Sequence, residues 1–334
     1  MTTSRRRFLG LTLAGVAATA VGCGTASGGT TKTLRYQGWA GQVTPPELAA
    51  DLGYLNDVTL QWVGDTISGP QDIQSAATGQ VDFGGAFNGA VVKLAAAGAP
   101  ITSVLGYYGV DKLEFNGFYV LENSPIRGPR DLAGKKIGMN TLGAHSEAML
   151  DIYLQRSGLS KEDIAKAEPV ALPPVNTEQS LRQGNIDVAV LSGILRDKAL
   201  ARGGIRPLFT DYQLLGAFTA GTYVLRKDFI ERNPETVRTF VSGVAKAIEW
   251  TKTTPREQVV ERFTKIVKGR NRNENPDPLK YWKSWGVADQ GGVITDKELQ
   301  LWIDWLGGRG DIRPGSVKAG DLYANKFNSY AKGQ

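Results

Sequence analysis

A nine-residue pattern that occurs twice restricts this chain's architecture more than any other feature. Gln74-Ser75-Ala76-Ala77-Thr78-Gly79-Gln80-Val81-Asp82 and Gln179-Ser180-Leu181-Arg182-Gln183-Gly184-Asn185-Ile186-Asp187 both read QSxxxGx(V/I)D. Each copy runs from a helical stretch through a glycine to an aspartate. An apolar strand follows, Phe83-Gly84 in the first copy and Val188–Leu191 in the second. Glycine stops a helix at such a point because it enters the left-handed region without a steric penalty. A unit repeated in the same local setting predicts two lobes built on one plan.

Around both copies the pattern is strand, helix, strand, helix, which predicts mainly parallel sheets with right-handed crossovers. In lobe one, strands are expected at 34–36, 58–63, 81–84 and 101–106, with helices at 45–55, 71–78 and 90–97. In lobe two, strands are expected at 118–121, 136–139, 170–172 and 206–209, with helices at 144–156, 176–183 and 194–201. A strand at 223–225 returns the chain to lobe one. Crossings near 114–117 and 212–219 would form a hinge. The last third reads as helices at 235–253, 255–267, 278–285, 295–306 and 321–330. Trp282, Trp285, Trp302 and Trp305 fall there at helical spacing and read as core. The polar stretch 269–278 and the basic run 262–272 read as solvated surface. The expected class is therefore α/β, with two lobes, each a mainly parallel sheet flanked by helices, and a helical C-terminal extension on lobe one. Lobe one would comprise 33–114 and 217–334, and lobe two 115–216.

Residues 1–23 read as a targeting segment and not as part of the fold. Ser4-Arg5-Arg6-Arg7-Phe8-Leu9 resembles a twin-arginine export signal, and 9–21 is a hydrophobic stretch too short to span a bilayer. Ala20-Val21-Gly22-Cys23 resembles a bacterial lipobox with Cys23 as the lipidated residue, although leucine is more usual three places before the cysteine. A plain secretory signal is the alternative. Residues 24–32, rich in Gly, Thr and Ser, would be a flexible tether. The formal net charge is +6. Three of the arginines lie in this leader, so the mature chain carries only +3, too little to argue for a nucleic-acid partner.

Residue counts exclude several chemistries. Cys23 is the sole cysteine and His145 the sole histidine, so an intrachain disulfide, a thiolate metal site and a multi-histidine metal site are ruled out. Neither a GxGxxG fingerprint nor a Walker A motif is present. Carboxylates could still act as acids or bases.

The stretch 131–159 reads as a helical turn, a strand, a small-residue loop (Asn140–Ser146) and a helix. A strand feeding such a loop into a helix start exposes backbone N–H groups at the positive end of the helix dipole, where an anion or acceptor can sit. In open α/β sheets ligands bind beyond the carboxyl ends of strands. That rule nominates Gln37, Trp39, Thr66, Phe87 and Asn88 from lobe one. From lobe two it nominates Thr141, Gly143, Ala144, His145, Ser146 and Ser192. Trp39 and Phe87 would pack on apolar parts of a solute, and Asn88, Thr141 and Ser146 offer directional hydrogen bonds. Trp39 reads equally as hinge packing, and His145 as a helix-capping surface residue. These loops contain no Arg or Lys.

The leader, Gly79-Gln80-Val81-Asp82, Asp131-Leu132-Ala133-Gly134-Lys135-Lys136-Ile137-Gly138 and Thr141–Ser146 together resemble periplasmic-type substrate-binding proteins of ABC importers. The group concerned binds nitrate, sulfonates or taurine and includes thiamine-pyrimidine-binding relatives. The resemblance runs over 34–330. It implies the type II periplasmic-binding-protein fold, in which two lobes close by a hinge on a small solute and deliver it to permease and ATPase subunits in the membrane. It further implies a monomer without catalytic activity or cofactor, exported, and lipid-anchored on the outer face of the cytoplasmic membrane or periplasmic. Sulfonate-binding members often place a histidine in the loop that holds His145. Family frequency puts an organosulfonate or taurine-like anion first. A neutral, zwitterionic or aromatic solute such as a thiamine pyrimidine suits the residues equally. An enzyme on the same fold is the remaining alternative, but desulfinase-like chemistry needs a cysteine nucleophile and the only cysteine is in the leader.

Overall fold

The computed structural model describes residues 30–331. The leader, with Cys23, and the tether up to residue 29 lie outside them. The first part of the chain forms β1 (Thr33–Gly38), α1 (Pro45–Asp51), β2 (Thr59–Asp65), α2 (Gly69–Ala77), β3 (Phe83–Phe87), α3 (Asn88–Ala96) and β4 (Ile101–Val110). A second set follows: β5 (Gly117–Leu121), β6 (Lys136–Met139), α4 (His145–Arg156), α5 (Lys161–Ile164), β7 (Glu168–Ala171), α6 (Pro174–Arg182), β8 (Val188–Leu191), α7 (Gly193–Arg202), β9 (Ile205–Thr210) and α8 (Asp211–Leu215). The chain then returns as β10 (Phe218–Arg226) and continues through α9 (Lys227–Arg232), α10 (Pro234–Thr253), α11 (Arg256–Gly269) and α12 (Asp296–Arg309).

The second set builds one sheet in the order β7-β6-β8-β5-β9. In lobe one β1 pairs with β2, and β3 and β4 flank β10. The two lobes share a plan, and the repeated aspartate shows why. Asp82 accepts a hydrogen bond from the Arg35 N–H at 2.7 Å, and its own N–H donates to the Arg35 carbonyl at 2.9 Å. Asp187 accepts from the Lys136 N–H at 2.9 Å, and its N–H donates to the Lys136 carbonyl at 2.9 Å. Each aspartate thus clasps two strands of its lobe together, Asp82 tying β1 to the start of β3 and Asp187 tying β6 to the start of β8. The preceding glycines, Gly79 and Gly184, sit at φ +78° and +74°, conformations in which a side chain would be strained.

The sheets are mixed where mainly parallel ones were expected: β1 and β2 form a parallel pair, β10 is antiparallel to both of its neighbours, and the five-stranded sheet has two parallel and two antiparallel pairings. β6 runs parallel to β7 and β8, whereas β5 is antiparallel to β8 and β9. β10 is likewise antiparallel to β3 and β4. Both reversed strands are the ones the chain enters on crossing from the other lobe, so they arrive from the opposite end of the sheet. The crossings are 111–116 and 211–217.

α10 buries the expected face, with Val237, Phe240, Val241, Val244, Ala245 and Ile248 packed against Leu34, Tyr36 and Leu48. Two expected helices are absent. Residues 277–281 form one 3-10 turn, because tertiary partners take the backbone beyond it. Arg256 Nε donates to the Trp282 carbonyl at 2.7 Å, and the Gly109 N–H donates to the Trp285 carbonyl at 2.8 Å. Between 319 and 327 there are only two 3-10 turns. There the Ser103 N–H donates to the Leu322 carbonyl and the Ala324 N–H to the Ser103 carbonyl, each at 2.9 Å, so the segment follows β4 instead of coiling.

The stretch 262–278 is not a solvated surface throughout. Arg270 pairs with Glu47 at 2.8 Å and with Glu274 at 2.7 Å, and Arg272 reaches Glu47 at 3.2 Å and the Tyr36 hydroxyl at 3.0 Å. Glu47 is buried in the capping box of α1, and a buried carboxylate requires cationic partners. The C-terminal extension also reaches lobe two. Trp302, Leu306 and Ile312 share a core with Met139, Ala148 and Met149. Arg309 binds Glu147 at 3.0 Å and also Asp151, both on α4.

Candidate functional site

A cavity of about 310 Å³ lies between the lobes. Five helices place their first residue in its wall: Pro45 of α1, Gly69 of α2, His145 of α4, Pro174 of α6 and Gly193 of α7. This follows from the topology, because every strand-to-helix turn in a parallel arrangement emerges at the same end of the sheet. The N-terminal N–H groups of these helices give the cavity a positive potential without any cationic side chain. Among the described residues the wall contains no Lys or Arg, and Glu114 is its only carboxylate.

Trp39, Phe87, Thr141, Ala144, His145, Ser146 and Ser192 lie in the wall, as nominated. Gln37, Thr66, Asn88 and Gly143 do not. Gln37 stands on β1 between residues that face the core. The Thr66 hydroxyl donates to the Ser68 carbonyl at 3.0 Å, shaping its own loop. Asn88 is wholly buried in the first turn of α3 and donates Nδ2 to the Thr219 carbonyl at 3.1 Å. Gly143, at φ +69°, donates its N–H to the Glu147 carboxylate at 2.8 Å, which fixes the turn into α4.

His145 is neither exposed nor a cap. Its ring stacks on Phe87 with centroids 5.2 Å apart and planes 6° from parallel. Its Nδ1 lies 3.2 Å from Asn116 Nδ2, and its Nε2 3.2 Å from Asp211 Oδ2. Asp211 is fully buried and accepts from the Asn116 N–H at 3.0 Å. His145 of α4 therefore touches β3 of lobe one and both crossing segments. Across the cleft mouth the Thr141 hydroxyl donates to Ser68 Oγ at 3.4 Å.

Sequence reasoning missed Tyr107, Tyr108, Glu114, Asn116, Trp282, Ser284 and Trp285, all of which line the cavity. β4 runs four residues past its expected end, which carries the two tyrosines into the site. The four tryptophans, read as one core cluster, form two separate pairs. Trp282 and Trp285 stand between Phe263 and the cavity, whereas Trp302 lies behind Phe87 at 4.5 Å. Burial pushes the Glu114 carboxyl up to about 8; Asp197, Asp211 and Asp111 add to the rise and Arg196 opposes it.

Two α/β lobes, each with one strand reversed and the same aspartate clasp, joined by two crossings and enclosing a cavity at their helix starts, define the periplasmic-binding-protein fold. The chain belongs to the NMT1/THI5-like family, whose sequence profile matches residues 42–258. It is 29% identical over 212 residues to the aliphatic sulfonates-binding protein of Escherichia coli (strain K12), an alignment that spans 62% of either chain. It is 26% identical over 222 residues to a 4-amino-5-hydroxymethyl-2-methylpyrimidine phosphate synthase of Saccharomyces cerevisiae, again over 62% of each. The alkanesulfonate-binding protein SsuA from Xanthomonas axonopodis pv. citri, solved bound to MOPS, has the same fold. It superposes with a TM-score of 0.68 at 20% identity, covering 89% of this chain and 99% of that one.

Proposed function

We propose that this chain is the extracytoplasmic solute-binding component of an ABC importer, which captures a small organosulfonate or taurine-like solute between its lobes and hands it to a membrane permease. In this reading 33–114 with 217–334 form one closing body and 115–216 the other. The cavity between the lobes supports it most strongly, since its helix starts and its hydroxyls Thr141, Ser146 and Ser192 can hold an acidic oxygen cluster without a fixed cation. The binding role of the E. coli and X. axonopodis relatives points the same way. The protein binds its solute without turning it over.

A thermal-shift panel on the purified protein tests this. A bound solute raises stability by RT ln(1 + [L]/Kd), so a micromolar binder supplied at about 1 mM adds roughly 4 kcal/mol. Alkyl sulfonates or taurine are expected to raise the melting temperature by several degrees. No shift with any sulfonate would remove that ligand class.

Cys23 is the lipid-bearing residue in this reading, and the segment before it the export signal. The Cys23→Ser protein is expected to leave the membrane fraction and appear in the soluble one. Retention in the membrane fraction would show a different anchor.

A further inference from the structure

Glu114 stands in the crossing between β4 and β5, and the surrounding chain fixes its position without neutralising it. Arg196 of α7, 1% exposed, donates Nη2 to the Leu113 carbonyl at 2.7 Å and Nη1 to the Phe115 carbonyl at 2.8 Å. Its Nε donates to Asp197 at 2.9 Å, and its guanidinium lies 3.9 Å from the centre of the Phe115 ring. The arginine thus grips the backbone on either side of Glu114 and acts on the carboxylate through its charge alone, without a hydrogen bond to it. From the other side Asp111 accepts the N–H groups of Leu113 at 2.6 Å and Glu114 at 2.7 Å. The Glu114 carboxylate itself forms no hydrogen bond or ion pair with any described residue, and it lines the cavity. A β-carbon built on Gly193 would come within 3.3 Å of both carboxylate oxygens. Glycine at that position, at φ +50°, keeps the space beside them open.

Once ionised, a carboxylate held rigidly in a wall without Lys or Arg repels an anionic group brought close to it and attracts a cation. Trp282, Trp285 and Tyr107 also line the cavity, and aromatic rings can pack on a cation. We propose that the solute carries a protonated nitrogen that docks on Glu114, while its acidic end, where it has one, lies at the Thr141–Ser146 start of α4. The proposal rests on the binding-protein reading and narrows its ligand to amine-bearing solutes, with aminoalkyl sulfonates matching both ends of the cavity.

Proton linkage supports this assignment. Arg196, Asp197, Asp211 and Asp111 are the charged groups acting on Glu114, and burial outweighs the arginine. Between the ordinary carboxylate range and pH 8 the empty folded protein holds a proton that the unfolded chain has lost, so stability falls as pH rises across that window. A docked ammonium favours the ionised carboxylate, so binding at pH 7 releases a proton to the buffer.

The test compares 3-aminopropanesulfonate with propanesulfonate, which differ only in the nitrogen, by titration calorimetry on the full chain and on its Glu114→Gln variant. Benzylamine against benzyl alcohol repeats the comparison without a sulfonate. The amino member of each pair is expected to bind about ten- to a hundredfold more tightly to the unaltered protein, as a charge-assisted hydrogen bond allows. In Glu114→Gln the members of each pair should bind alike. That variant should melt no lower than the parent at pH 8 without solute, which separates a lost contact from a lost fold. If propanesulfonate binds and the amino compound binds no better, or if the preference survives in Glu114→Gln, the proposal falls and the binding-protein reading stands. If neither pair registers on the parent protein, the proposal falls together with the organosulfonate assignment.

Discussion

Arg196→Ala is expected to destabilise the protein by about 3–5 kcal/mol, the usual cost of removing one partner from a buried ion pair. The guanidinium is all but inaccessible and links four groups: Asp197 and the carbonyls of Leu113 and Phe115 by hydrogen bonds, and the Phe115 ring by stacking. Its loss leaves two carbonyls without their donor. It also removes the one cation that opposes the rise in the Glu114 pKa and leaves Asp197 with Lys283 alone, at 2.8 Å. Arg196→Met fills much of the volume but restores none of the hydrogen bonds, so its loss should be nearly as large. Arg202→Ala is the control. That arginine, 52% exposed, pairs with Glu178 at 2.9 Å, and an exposed pair contributes about 0–1 kcal/mol. Urea denaturation of the three variants decides the matter. Equal losses for Arg196→Ala and Arg202→Ala would mean that the crossing is held by something else.

Trp302→Ala should cost a further fold-wide amount, about 3–5 kcal/mol, from lost apolar burial and the cavity left behind. Trp302 is completely buried and makes edge contact with Phe87 at 4.5 Å, with Phe218 at 6.0 Å and Trp305 at 6.4 Å. Phe87 is in turn the ring on which His145 stacks. Truncation behind it therefore loosens the cavity wall, and solute affinity should fall along with stability. The indole N–H has no partner among the described residues, so Trp302→Phe removes volume without stranding a polar group and should recover most of both losses. Trp62→Ala, at a 39% exposed position on β2, should cost far less. A Trp302→Ala protein that unfolds more easily yet binds solute with undiminished affinity would break the link between this core and the cavity.

Local sequence carried the fold further than it carried the site. The QSxxxGx(V/I)D repeat was legible because a helix stop and a strand start are written in adjacent residues, and its aspartate makes the same clasp in both lobes. The strand-to-helix loops of the cavity were legible for the same reason, which is why Thr141, His145, Ser146 and Ser192 could be named from sequence. Glu114 was not, because its role depends on Arg196 of α7 and on Gly193 opposite. Trp282 and Trp285 do belong to or pack on the core, as their spacing indicates, but spacing cannot show that they also line the cavity. The stretches 278–285 and 321–330 have helical patterns, yet partners far away in sequence, Arg256 and Ser103, claim their backbone groups. Asn88 sits beside the cavity in sequence and away from it in space. A single residue's rotation about the start of α3 decides that, and no pattern encodes it.

The reach of the C-terminal extension bears on how a solute gets in. Arg309 fastens α4 of lobe two, and Lys283 fastens Asp197 of α7. The two crossing segments close the back, where β4, β5, β9 and β10 lie. Elsewhere on the rim the turn into α4 meets the turn into α2, at Thr141 and Ser68. One long hydrogen bond joins them, with exposed Ile67 and Leu142 next to it in sequence and exposed Val175 next to Pro174 of the cavity wall. The seam between the lobes is stitched with ion pairs at Arg309 and Lys283 and held at Thr141 by a looser thread among greasy residues.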